Sequence, residues 1–171
     1  LDEANKTITA DDYSVTAKSD RVLSDTTYAG ANLYFEADEF AHLKRRNMFS
    51  AYYGKQWYSK PQFSLSTEPG LGYVSESRTE LEQQNYFAFS WNMDMHSTYL
   101  GPNTNSYLNQ VEVWNMEDTS DIVINTRIGI KMPVRHKITV NTELKLEYDS
   151  GAPADIEELD QTFTIGFGYR W

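Results

Sequence analysis

Large apolar residues alternate with small or polar ones over most of this chain. The pattern is strictest at the end, where Phe163, Ile165, Phe167, Tyr169 and Trp171 interleave with Thr164, Gly166, Gly168 and Arg170. Successive side chains on a strand point to opposite faces, so period two gives this segment one apolar and one small or polar face. In water such a face needs a core to cover it. In an outer-membrane barrel, lipid covers it.

The same period predicts nine strands. They fall at about 12–23, 27–37, 47–58, 62–76, 84–99, 104–116, 121–132, 137–149 and from about 161 to the end. Phe87, Phe89, Trp91, Met93 and Met95 alternate with Ala88, Ser90, Asn92, Asp94 and His96 in the fifth. In the sixth, Tyr107, Val111 and Val113 are read as the apolar face and Glu112 as part of the polar one. Asp38 to Arg46 reads as a charged loop, and Pro133 to His136 as a turn. Pro69, mid-segment beside Gly70 and Gly72, removes a ladder hydrogen bond and predicts a bulge or kink.

These segments span 11–16 residues. Globular strands average about 5–6, whereas a tilted membrane-spanning strand needs about 9–11. Short turns at 24–26, 59–61, 101–103 and 133–136 alternate with connections that are mostly longer and charged, the pattern of periplasmic turns and outer loops. Nine is an odd count, and an antiparallel sheet of nine cannot close on itself. Three readings follow: segment one lies outside an eight-stranded barrel, N-terminal strands are lacking from the chain, or a short strand lies within Asn5 to Asp12.

Composition narrows the class. The 171 residues suffice for one domain with a sizeable interior. Mean hydropathy is −0.61 and no apolar run reaches the length of a membrane helix, which excludes a helical membrane protein but not a barrel. There is no cysteine, and His42, His96 and His136 have no paired metal-ligand spacing. The net charge of −10 argues against nucleic acid as a partner. The start at Leu1-Asp2-Glu3 reads as processed or truncated.

Candidate chemistry is sparse. The predicted polar faces carry Lys18, Glu36, Glu68, Asp94, Glu112, Arg127, Lys131, Glu143, Lys145, Glu147 and Arg170. With both signs inward, these suit a plugged, ion-paired interior better than a charge-selective channel. Trp57, Tyr107, Tyr148 and Trp171 fall where aromatic girdles sit at the two membrane interfaces. His96-Ser97 has the residue types of a lipid-hydrolase base and nucleophile, but neighbours on a strand face opposite ways. Lys44-Arg45-Arg46 could meet lipid phosphates but reads better as a solvated loop. The acidic run Asp155, Glu157, Glu158 and Asp160 lacks the spacing of a calcium loop.

Glu147-Tyr148-Asp149-Ser150, a Pro-containing loop, Asp160-Gln161-Thr162 and Gly166-Phe167-Gly168-Tyr169 resemble the C-terminal signature of the salt-induced outer-membrane proteins, a large bacterial family classed as a domain of unknown function. Lys18-Ser19-Asp20, Leu23-Ser24-Asp25, Gly70-Leu71-Gly72-Tyr73 and Met132-Pro133 follow in family-like order, so the likeness covers nearly the whole chain. The resemblance implies about three further strands before Ile8 and a barrel of about twelve. Trp171 stands where the family usually ends in Phe. Phe163, Ile165, Phe167, Tyr169 and Trp171 also resemble the C-terminal signal read by the outer-membrane assembly machinery, which a strand can engage by adding to a sheet edge.

The expectation is therefore an all-β, antiparallel up-and-down transmembrane barrel in the bacterial outer membrane. Residues 1–171 form a single domain of about nine strands, with 8 to 12 in the complete barrel. It is read as no enzyme, with no cofactor. Its expected role is envelope integrity or membership of an envelope complex. The rivals are a narrow diffusion channel and a lipocalin-like ligand-binding barrel. Expected partners are outer-membrane lipids and lipopolysaccharide, the assembly machinery, and another envelope protein.

Overall fold

The computed structural model describes residues 12–39, 42–79, 82–101, 103–135, 137–152 and 157–169. Among them are nine strands: β1 (Asp12–Val22), β2 (Thr27–Asp38), β3 (Leu43–Lys60), β4 (Phe63–Arg78), β5 (Gln84–Ser97), β6 (Asn105–Asn115), β7 (Ile122–Arg135), β8 (Ile138–Asp149) and β9 (Leu159–Tyr169). They form one antiparallel sheet in chain order. The sheet is not closed. β1 and β9 are its two edges and, as odd members of an up-and-down series, run in the same direction.

Each predicted segment coincides with a strand, but several details differ. Segment one is not outside the sheet: β1 pairs with β2 from Asp12↔Asp38 to Val22↔Tyr28. The charged stretch is mostly strand, because Arg46 pairs with Glu36 on one side and Glu76 on the other. Opposite charges across a ladder favour pairing there. Pro69 makes no bulge: Tyr52↔Gly70 and Lys55↔Thr67 share one register, and Pro69↔Trp91 is an ordinary pair. The β3–β4 register shifts instead between Leu43 and Arg45 and between Gln56 and Tyr58, the latter around Trp57. The turn at 133–136 is shorter than expected, since β7 continues through a bulge to Arg135. The strand considered within Asn5 to Asp12 lies outside the described residues, apart from Asp12, which begins β1.

The sheet is strongly curled. Strands lie about 4.8 Å apart, so β3 and β8 would stand about 24 Å from one another if it were flat. Yet Arg46 on β3 bonds Asp149 on β8 at 2.9 Å. The face carrying both residues is therefore concave. It lines an open cavity of about 430 Å³ to which all nine strands contribute.

Burial on the two faces is inverted relative to a water-soluble fold. On the concave face Glu68, Arg46 and Arg78 are only 8%, 8% and 6% exposed. On the convex face Leu71, Phe87 and Phe167 are 60%, 62% and 78% exposed. The apolar interior is a small cluster of Met48, Val74, Tyr86 and Ala88, with Tyr34 and Val113 packed against it.

Three tyrosines lock neighbouring strands in the same way. Tyr28 crosses Gly54 and donates to Glu68 Oε1 at 2.6 Å. Tyr107 crosses Gly129 and donates to Glu143 Oε2 at 2.5 Å. Tyr52 crosses Gly30 and donates to Asp20. Each glycine leaves room that a Cβ would fill, so the ring covers bare backbone and its hydroxyl reaches the next strand. Gly129→Val is accordingly expected to lose about 1–3 kcal/mol of stability. Urea denaturation followed by tryptophan fluorescence reads this. Adding Tyr107→Ala should restore part of the loss, and additive losses would contradict the lock.

Candidate functional site

The concave face is where charge converges. Glu36, Arg46 and Glu76 form a cross-strand row at the ends of β2, β3 and β4. Arg46 donates to Glu76 at 2.7 Å, to Glu36 at 3.2 Å and to Asp149 at 2.9 Å. Arg78 donates to Glu76 and, at 2.7 Å, to Asp149 Oδ2. Three carboxylates and two guanidinium groups thus tie β2–β4 to β8 across the interior. Each arginine is held by charge-assisted bonds of the strong kind.

A second network lies nearer the middle of the strands and centres on Glu68. Its Oε1 accepts from Lys18 Nζ at 2.5 Å and from Tyr28, and its Oε2 accepts from Asn92 at 2.8 Å. Lys18 Nζ also lies 4.8 Å from the centre of the Tyr52 ring. Lys18 and Glu68, distant in sequence, are thus brought together as the predicted polar face requires. Glu143 takes the Tyr107 hydroxyl, and Lys145 pairs with Glu147 at 2.6 Å. Arg127 and Lys131 share this face through Arg127↔Lys145 and Lys131↔Asn141. Asp94 lies there too, 3.9 Å from His96 Nε2.

Other predicted residues fall elsewhere. Glu112 is on the convex face, because its partners are Trp91 on β5 and Ile124 on β7. The phase of β6 is inverted from the sequence reading: Asn109, Val111 and Val113 line the cavity. Tyr107 likewise points inward and is no girdle residue. Trp57 and Tyr148 lie toward the ends of β3 and β8. Trp57 Nε1 donates to Thr67 at 2.9 Å, and Tyr148 pairs with Ile124 and Leu159 near the strand ends. Phe163, Ile165, Phe167 and Tyr169 share the exposed face of the edge strand β9. Arg170 and Trp171 lie outside the described residues.

The sequence reading missed the network itself. The sequence pattern puts Arg46 in a charged loop and does not place Glu76, Arg78 or Asp149 on the polar face. A usable signal was present, since Arg46 is in phase with Met48, Ser50 and Tyr52, and Glu76 and Arg78 with Gly72 and Val74.

The remaining candidate chemistry stays dispersed. Ser97 pairs with Phe63 and Ser106, while His96 pairs with Ser64 and Tyr107, so the two occupy opposite faces. Among the described residues no three acidic or histidine side chains converge as metal ligands. Asp155 lies outside the described residues. In the loop after β6, hydrogen bonds from the Ser120 hydroxyl and backbone N–H hold the Asp118 carboxyl below the usual carboxylate range.

No curated protein and no solved structure matches the chain. The model of one family, described as "Protein of unknown function, DUF481", matches residues 1–171. An all-β antiparallel chain with an ion-paired concave face and an apolar convex one, matched along its whole length, belongs to that family.

Proposed function

We propose that this sheet is the wall of a bacterial outer-membrane β-barrel, and that the protein is a non-enzymatic structural element of the envelope or a subunit of an envelope complex. The observation that carries this reading is the inverted burial: large apolar groups are exposed on the convex face while arginines and glutamates are sequestered on the concave one. A lipid solvent reverses the usual rule in this way. The resemblance to salt-induced outer-membrane proteins agrees with it. Completing the wall takes an odd number of further antiparallel strands between β1 and β9, because those edges run in the same direction.

An interior crossed by ion pairs is favoured over an open diffusion channel. The Arg46–Glu76–Arg78–Asp149 network spans the concave space, and the Met48–Val74–Tyr86 cluster packs beside it. A lipocalin-like site is disfavoured, because it needs an apolar interior and a hydrated exterior.

Purified protein in planar bilayers should show no stable open-channel step. A reproducible unitary conductance would replace the structural reading with the channel.

A further inference from the structure

On β6 a polar pair interrupts the apolar convex face. Gln110 and Glu112 are successive outward residues of β6, and Gln110 Nε2 donates to Glu112 Oε1 at 2.5 Å. Thr126 of β7 stands opposite Gln110. Apolar groups surround this island: Trp91 and Ile124 flank Glu112 in register, Met93 flanks Gln110, and Leu108 and Trp114 lie below and above on β6. Given the membrane reading above, on which this inference rests, the Glu112 carboxylate faces the bilayer rather than the ion-paired interior. Ionisable groups in that setting are costly and are retained where something meets them.

We propose that the Gln110–Glu112 pair is a docking point for a second membrane-embedded protein, one that presents a lysine or arginine from its own lipid-facing surface. The argument is charge complementarity. A carboxylate backed by a carboxamide offers acceptors to a cation, and Glu112 has its second oxygen left for one. Anionic lipid phosphates would be repelled. A second copy fits poorly. A two-fold contact centred here sets Glu112 against its own image. Convex-face cations such as Arg21 and Lys55 stand on β1 and β3, at least three strands away. A contact from those strands to β6 would be head-to-tail, not the isologous pairing of a two-fold dimer.

The test places a photo-crosslinking residue at Thr126 of the full-length protein in intact outer membranes, with a urea wash run in parallel. The expected adduct joins a different membrane protein. It should fall at least about tenfold with either Glu112→Lys or the milder Glu112→Gln. It should return with Glu112→Lys when the lysine or arginine at the crosslinked site is changed to glutamate. An adduct to a second copy, lipid adducts alone, or a partner adduct indifferent to both variants overturns the docking point while the chain still resists urea. A chain stripped off by urea overturns the membrane reading, and the docking point with it.

Discussion

Replacing Arg46 by methionine is expected to lower stability by about 3–5 kcal/mol, the cost of breaking a buried ion network from one side. The reason is the count of charges left behind. Glu36, Glu76 and Asp149 all bond this guanidinium, and without it Arg78 is left to hold Glu76 and Asp149 while Glu36 loses its ion partner. Methionine keeps much of the volume, so packing loss is not the main term. The measurement is the urea midpoint of the protein folded in lipid vesicles. Asp149→Asn should cost less, since Glu36 and Glu76 still hold Arg46. In the double variant the losses should be less than additive, because both act on one bond. A loss under about 1 kcal/mol for Arg46→Met would mean that water reaches the network freely. The same variant is the best candidate to open a conducting path, as it unties β3 from β8.

Leu144→Arg is expected to cost about 2–4 kcal/mol in a bilayer. Leu144 lies midway along β8, with Ile128 and Phe163 beside it on the convex face. Arginine there must leave water for hydrocarbon or drag water inward. The cost should depend on depth, so Ile138→Arg, at the strand end, should lose only about 0–1 kcal/mol. On a hydrated surface neither change would exceed about 0.5 kcal/mol. Equal, small losses at both positions would therefore speak for an aqueous exterior.

The nine strands were legible because period two persists over long segments, and a long run of alternation leaves little choice of element. What failed was face assignment where the two faces are alike in polarity. β6 offers Val111 and Val113 on one side and Leu108, Gln110, Glu112 and Trp114 on the other, so the β-branched pair misled. The register with Trp91 decides it. Tyr107 was misplaced for the same reason. Its fit over Gly129 could have been suspected, since a glycine inside a strand often marks a close approach. The ion network depends on Asp149 meeting Arg46 across 103 positions of sequence, and no local pattern announces such a contact. Pro69 was judged by its missing donor alone, whereas the ladder keeps its register on both sides.

Lipid is expected to touch the convex face and not the concave one. The chain has no cysteine, so single labels can be placed without competing thiols. Leu144→Cys and Lys145→Cys are neighbours on β8 that point to opposite faces. Each would carry an environment-sensitive fluorophore in the protein reconstituted into vesicles containing a lipid-borne quencher. The prediction is strong quenching at position 144 and little at 145. Equal quenching at both positions, or none at 144, would contradict the account.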